Sequence, residues 1–480
     1  MLLTAELLLQ YQRCHRRAFL DLYGNKQEKD PPNDFQSKLQ RDRLTHQKTV
    51  LREQTYHKPE YPDKDWQAGA KATLSLMRQG VERIYKGILI TEVEENSLPI
   101  TLLSFPDLLV KQPGNSIFGN WCYIPVQIEL GKRPKQEYKI GVAFHAQVLT
   151  VVQGVKPPAA WLILRERKPY FVQLENWLLQ MQKIFQECSQ TLQQSEIPEV
   201  FISRQKCNLC HWYSSCYTVA KSQQHLSLLP GVTPIRYNYL QQLNINTLES
   251  LANANFADLE IAFGKEITEQ LLRQSQAKLN NQVILTSQNL INLPKSDIEL
   301  YFDIESQPEI DFAYLLGLLV VDKRTQTEKF YPLLAEDFSE EEATWQQFLN
   351  VVWDYPQAPI YHFCDYEIFM IKELAKRYKT PNHLWQPLLN RLVDVHEKVT
   401  QAVTLPIESY SLKAIARWLG FNWRNPSASG AQAICWYDEW LKRSDRTFLE
   451  KIVTYNEDDC FATYLVKDWL SKTLEKKPTP

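Results

Sequence analysis

The stretch Glu299-Leu-Tyr-Phe-Asp-Ile-Glu305 constrains this chain more than any other. Its apolar residues Leu300, Phe302 and Ile304 fall on one side of a short buried strand, and Tyr301, Asp303 and Glu305 on the other. Two carboxylates therefore share one face. Side by side they repel, and burial strips their solvation, so a fold that places them there supplies cations to neutralise them. A divalent metal is the candidate, and an edge strand with a solvated acidic face is the alternative. The far end of the chain decides between the two.

There, Tyr455-Asn-Glu-Asp-Asp459 sits in a segment with helical spacing of Ile452, Val453, Tyr455, Phe461 and Leu465. Tyr455 and Asp459 lie one turn apart on one face, which favours Asp459 over Asp458 as their partner acid. Another acid, Asp365, follows the apolar Pro359-Ile-Tyr-His-Phe363 and opens a helix expected over 365–378, with Glu367 close by as its competitor. Strand acids, a mid-segment acid and a helix acid preceded by a Tyr resemble the tyrosine branch of the DEDD family of 3′-to-5′ exonucleases, over roughly 297–470. The resemblance implies two Mg²⁺ or Mn²⁺ ions held by Asp303, Glu305, Asp365 and Asp459, with Tyr455 orienting the attacking water. In-line hydrolysis of a phosphodiester needs a deprotonated water and a stabilised leaving alkoxide, and two metal ions about 3.5–4 Å apart supply both. Carboxylates are the ligands such hard ions prefer. A phenol is a poor base near neutral pH, so Tyr455 positions the water rather than taking its proton.

A chain of 480 residues has room for two to four domains. Its formal charge of −2 excludes a polycation, so contact with nucleic acid falls to local Lys and Arg clusters. No apolar run reaches the about 18 residues of a membrane span, and the start Met-Leu-Leu-Thr-Ala-Glu lacks a basic flank, so no membrane association and a cytoplasmic location are expected. Nine cysteines, an odd number unevenly spread, do not make a disulfide framework.

Four of them form a pattern. Cys14 lies in a basic amphipathic helix with Arg13, Arg16 and Arg17, and far downstream comes Cys207-Asn-Leu-Cys-His-Trp-Tyr-Ser-Ser-Cys216. Cys14, Cys207, Cys210 and Cys216 fit four thiolates on one inorganic centre, either Zn²⁺ or an iron–sulfur cluster. The arrangement resembles the iron–sulfur-stapled RecB-like nucleases, including those that process CRISPR spacers. That resemblance implies a [4Fe–4S] cluster, with zinc as the alternative, and a nuclease core between the cysteines. Its elements come in order: His46 on a polar helix, Asp107 after Leu102-Leu-Ser-Phe-Pro106, a strand Trp121–Glu129, and Gln147 on a helix. Where an acid, one spacer and a Lys should close the second strand, this chain has Gln127-Ile-Glu129-Leu-Gly-Lys132. Either Glu129 is a ligand with Lys132 reaching back, or this site has lost cleavage. Lys132, Arg133, Lys135 and Lys139 form a basic cluster beside it, and Arg165, Arg167 and Lys168 another; both are candidates for gripping phosphates, against the alternative of an ordinary solvated surface.

After Cys216 short helical patterns are expected at 235–243, 247–253, 256–262 and 266–280. The Pro-Gly turn before them resembles a helix–hairpin–helix module, in which Gly231 would free backbone N–H groups to seat a phosphate. Thr233 stands where that family often has a second Gly, and a small packed linker is the alternative. Residues 281–296 read as connector. Strands are then expected at 311–321 and 329–334, and helices at 340–352 and 409–420, the last carrying Lys413 and Arg417 on one face toward the strand-entry side or toward solvent. Asp394 and His396 fall at a strand end, within possible reach of the acids.

The chain thus reads as a multidomain α/β protein. A restriction-endonuclease-like RecB-type domain spans 1–220, a helical helix–hairpin–helix linker 221–290, and an RNase H-like mixed sheet flanked by helices 291–480. Metal-dependent hydrolysis of DNA or RNA from single-stranded 3′ ends is the expected activity. The alternative is a catalytically worn nucleic-acid adaptor with a structural or redox-sensing cluster.

Overall fold

The computed structural model describes residues 1–52, 54–95, 98–165, 168–194, 196–286 and 293–475. Arg167 and part of the 281–296 connector lie outside them. The chain divides into two compact units, Met1–Val219 and Ala220–Pro480. Among the described residues no helix is long and apolar enough to cross a membrane.

The first unit has a five-stranded sheet in the order Arg83–Tyr85, Leu108–Ser116, Gly119–Glu129, Trp161–Leu164 and Tyr170–Phe171. A three-stranded sheet has Leu98–Ser104 at its centre, between Leu2–Thr4 and Leu89–Glu95. The helix Gln136–Gln153 carries Ile140, Val142, Ala143, Phe144, Val148 and Leu149 into the common core. The two ends of this unit meet: Arg16 Nη1 donates to the Pro198 carbonyl at 2.7 Å, and Asp21 accepts from His211 Nε2 at 2.6 Å and Trp212 Nε1 at 3.0 Å. Cys14 occupies an extended break between helices Ala5–Arg13 and His15–Tyr23.

The second unit opens with four helices, Pro234–Gln242, Leu248–Ala252, Phe256–Phe263 and Lys265–Asn280, close to the expected spans. They belong with the sheet that follows rather than forming a separate body: Gln274 Nε2 donates to the Leu405 carbonyl at 2.7 Å, and Ile284–Leu285 pairs with Val403–Thr404. Gly231 has φ +90°, as a tight turn requires, but a single 3₁₀ turn, Leu226–Leu228, precedes it in place of a full helix. Its carbonyl accepts from Arg236 Nη1 at 2.7 Å, so the turn is closed by the chain itself.

The sheet has five strands: β1 (Ile298–Gln307), β2 (Phe312–Asp322), β3 (Thr327–Leu334), β4 (Ile360–His362) and β5 (Leu392–Asp394). Their order is β3-β2-β1-β4-β5, antiparallel across β3-β2-β1 and parallel across β1-β4-β5. Five helices that bear on the site are α1 (Glu341–Asp354), α2 (Tyr366–Arg377), α3 (Leu412–Trp418), α4 (Gly430–Arg443) and α5 (Thr447–Glu475); Asn382–Leu389 and Val395–Ala402 flank β5. The alternation read in the sequence splits β1 between two cores. Leu300, Phe302 and Ile304 pack with Trp345, Phe348 and Ile371 from α1 and α2, whereas Tyr301 packs with Ile452, Tyr455 and Val466 from α5. Asp303 and Glu305 therefore face α5.

One residue lets α5 come close. Gly317 of β2 is paired directly with Asp303, and its carbonyl accepts from Cys460 Sγ at 3.6 Å. A Cβ there would overlap the side chain of Asn456. Gly317→Ala is expected to force α5 off the sheet and to destabilise this unit by about 1–3 kcal/mol, read as a lowered midpoint in chemical denaturation; an unchanged midpoint would show that the helix tolerates the added methyl.

Candidate metal centre

Asp303 and Glu305 reach this site from β1 because both have odd positions on a strand of period two. Asp459 reaches it from the buried face of α5. A ligand oxygen of each lies within 4.8 Å of the others, and among the described residues this is the set of three or more metal-binding side chains drawn so close. Asp303 is partly exposed, while Glu305 and Asp459 are buried.

Two of the three acids are held by neutral donors. Asn456 Nδ2 donates to Asp303 Oδ2 at 2.6 Å, and Trp423 Nε1 to Asp459 Oδ1 at 2.6 Å. The Tyr455 hydroxyl also bonds to Asp459, one turn on. Asp458 points elsewhere: its carboxylate accepts from Arg424 N at 2.9 Å and Nε at 2.7 Å. Asn456 and Trp423 escape sequence reasoning. Asn456 had a signal, since it lies three residues before Asp459 on the same helix; Trp423, in an irregular segment, had none.

The mid-segment acid differs from expectation. Asp365 is exposed at the start of α2 and is not in the set, whereas Glu367, two residues on, is buried and its charge acts on both Asp303 and Glu305. The helix accounts for this: a two-residue step turns a side chain by about 200°, so Asp365 and Glu367 take opposite faces. His362 Nδ1 lies 3.5 Å from Glu367 Oε2 and 2.7 Å from the Cys364 carbonyl. Asp394 is a helix cap, accepting from His396 N at 2.8 Å and Cys364 N at 3.0 Å.

Burial and mutual repulsion raise the carboxyls of Asp303 and Glu305 well above their ordinary range. Asp459 is pushed up to about 6, chiefly by burial, against the pull of Trp423, Tyr455 and Lys413. Burial, then the three acids, push the Tyr455 phenol far up, so it stays protonated. Around the acids, Tyr314 OH, His362 Nε2 and Asn456 Oδ1 are buried without a hydrogen-bond partner. Buried polar atoms are seldom left so. Together with an all-oxygen acid set they fit hard divalent ions and their waters.

Because the native acids bind protons more tightly than unfolded ones, stability without metal falls as pH rises from about 4 through about 6. In EDTA the melting temperature of this unit should be higher at pH 5 than at pH 7.5 by about 3 °C or more, and Mn²⁺ should erase the difference. Equal melting at both pH values without metal would contradict the crowding of these acids.

The first unit has a second acidic cleft, of about 610 Å³, lined in part by Arg43, Gln47, Lys86, Asp107, Gln127 and Glu129. Asp107 is fully buried; it accepts from Ile128 N at 2.7 Å, Gln47 Nε2 at 2.8 Å, and Lys86 Nζ. Glu129 lies 3.5 Å from Arg43, and burial pushes its carboxyl up to about 7. His46 does not enter this cleft. It faces Ile163 and Arg165, and its neighbour Gln47 takes the place expected for it. Gln147 is likewise outside the lining, where His145, two residues earlier, faces in. Lys132, Arg133 and Lys135 follow the strand end outside the lining too, with Arg133 and Lys135 exposed.

Cys14, Cys207, Cys210 and Cys216 act on one another electrostatically, and burial raises the thiols of the last three. Ser203 N donates to Cys207 Sγ at 3.3 Å, Arg16 bonds to Cys216, and the charge of Arg17 reaches Cys210. These donors and cations suit a set of thiolates. Among the described residues no three of these sulfurs gather within 4.8 Å as the carboxylates do.

Residues 300–471 match the family model of the RNase H superfamily, a span that contains Asp303, Glu305, Glu367, Tyr455 and Asp459. The second unit thus carries an RNase H-like domain, a fold that points to nuclease-type phosphodiester hydrolysis. No curated protein matches the chain.

Proposed function

We propose that the RNase H-like domain is a metal-dependent exonuclease that removes nucleotides from single-stranded 3′ ends of DNA or RNA. One observation carries the reading: carboxylates from a strand and a helix converge beside buried, unpartnered polar atoms, in a domain of this superfamily. Asp303, Glu305 and Asp459 would hold two Mg²⁺ or Mn²⁺, with Glu367 rather than Asp365 as the fourth acid. Such ions lower the pKa of bound water and stabilise a leaving alkoxide. The chain's own work is positional. Trp423 and Asn456 fix two carboxylates in direction, and the protonated Tyr455, bonded to Asp459, orients the attacking water.

Asp303→Asn and Asp459→Asn should each abolish Mn²⁺-dependent release of nucleotides from a 3′-labelled oligonucleotide. Glu367→Gln should lower turnover about 10²-fold or more, and Asp365→Asn about twofold at most. The reverse ranking of Glu367 and Asp365 would restore Asp365 to the set.

The first unit we read as a nucleic-acid-binding partner domain of RecB-like type, with its four cysteines on a [4Fe–4S] cluster and zinc as the rival. Binding without cleavage is favoured by its cleft, where the Lys86 ammonium sits on Asp107 and neutral Gln127 replaces an acid. Protein purified without oxygen should absorb near about 400 nm, and Cys216→Ser should lose the band. Stoichiometric zinc and no such band would assign the thiolates to zinc.

A further inference from the structure

The acid set of the RNase H-like domain has a cation of its own. Lys413, from α3, sends its Nζ inward: it donates to the Ala428 carbonyl and lies 4.9 Å from the centre of the Tyr455 ring and 5.4 Å from that of Trp423. Those two rings are the ones whose polar tips grip Asp459. Lys413 is half-buried. Among the described residues it makes no ion pair within 4.0 Å, yet its charge is felt at both Glu305 and Asp459. Arg424, by contrast, is occupied by Glu457 and Asp458.

This placement differs from that of a lysine gripping a phosphate at a surface. A phosphate-gripping ammonium sits at the end of an exposed stem, where solvent screens it from acids nearby. Lys413 instead has two aromatic faces that favour a cation and a carbonyl that fixes its direction. Two N–H donors remain to its ammonium after the Ala428 bond. Resting on the reading of these acids as a metal centre, we propose that Lys413 is a resident counter-cation of that centre. In the free protein it opposes entry of a second divalent ion, so the metal pair is completed only when a phosphodiester brings negative charge of its own. The geometry makes Lys413 a positioning residue: it acts on the metal set through charge, over rings that orient Asp459.

The consequence is an order of assembly. One divalent ion binds the free domain, and nucleic acid and the second ion bind together. Manganese counting by electron paramagnetic resonance, with the full-length protein and no nucleic acid, reads this directly. Wild type should take up one Mn²⁺, and two in the presence of a single-stranded oligonucleotide with a 3′-terminal phosphorothioate. Lys413→Met should take up two without the oligonucleotide, its weaker step tightened about tenfold or more. Lys413→Arg, which keeps the charge, should behave as wild type. Lys413→Gln carries the same expectation as Lys413→Met and serves if circular dichroism shows the Met variant unfolded. Equal number and affinity of Mn²⁺ in wild type and in the charge-removing variants would overturn the role of Lys413 while leaving the metal centre standing. If wild type takes up no more Mn²⁺ than Asp303→Asn does, the metal centre falls, and the counter-cation with it.

Discussion

Three carboxylates within 4.8 Å of one another, two of them buried, is an arrangement that repels itself. Everything around it in the second unit serves to hold it. The two apolar cores grip β1 from both faces, so neither acid on that strand can swing into solvent without tearing Tyr301 or Phe302 from its packing. Helix α5 is long enough that Val466 and Leu470, two to three turns beyond Asp459, anchor it in the same core. Its approach is set by Gly317, the one position of β2 where the strand surface is low enough for Asn456 to pass over and reach Asp303. The missing side chain and the hydrogen bond are thus parts of one device.

The donors that fix these acids are neutral, and that choice has a chemical consequence. An Arg or Lys paired to each carboxylate would satisfy it and leave nothing for a metal to do. Amide, indole and phenol groups orient an oxygen without cancelling its charge. The first unit shows the other solution. Its buried Asp107 receives Lys86, and its Glu129 faces Arg43, so the cleft is closed electrostatically by the chain itself. The two sites are built from the same residue type and differ in who supplies the positive charge.

Much of this was legible in the sequence, for a physical reason. The two-residue alternation of Glu299–Glu305 and the four-residue step from Tyr455 to Asp459 are local periodicities, and each dictates a face once the element forms. The strands expected at 311–321 and 329–334, the helices expected at 340–352, 365–378 and 409–420, and the four helices before them follow from the same kind of signal, whereas α4 was not expected. What failed was helical phase, at the start of an element or within one. Asp365 and Glu367 straddle the start of α2, and His46 and Gln47 are neighbours inside the helix Asp34–Leu51; one or two residues of phase decide which side chain faces the acids, and that phase is set by packing that the local pattern does not contain. Trp423 illustrates a different limit. It lies in a segment between α3 and α4 with no period of its own, so only the folded chain brings its indole to Asp459.

The position of Lys413 joins these threads. Acids held by neutral donors keep repelling one another until protons or ions arrive, and the rise of Asp459 to about 6 is one sign of that repulsion and of burial. A cation placed directly on a carboxylate, as Lys86 is on Asp107, would end that tension and the metal site with it. A cation set back over the Tyr455 and Trp423 rings softens it without occupying the ligand oxygens. Distance is therefore the variable that separates a spent acid cluster from one still able to take up metal, and in this domain the two aromatic rings set that distance.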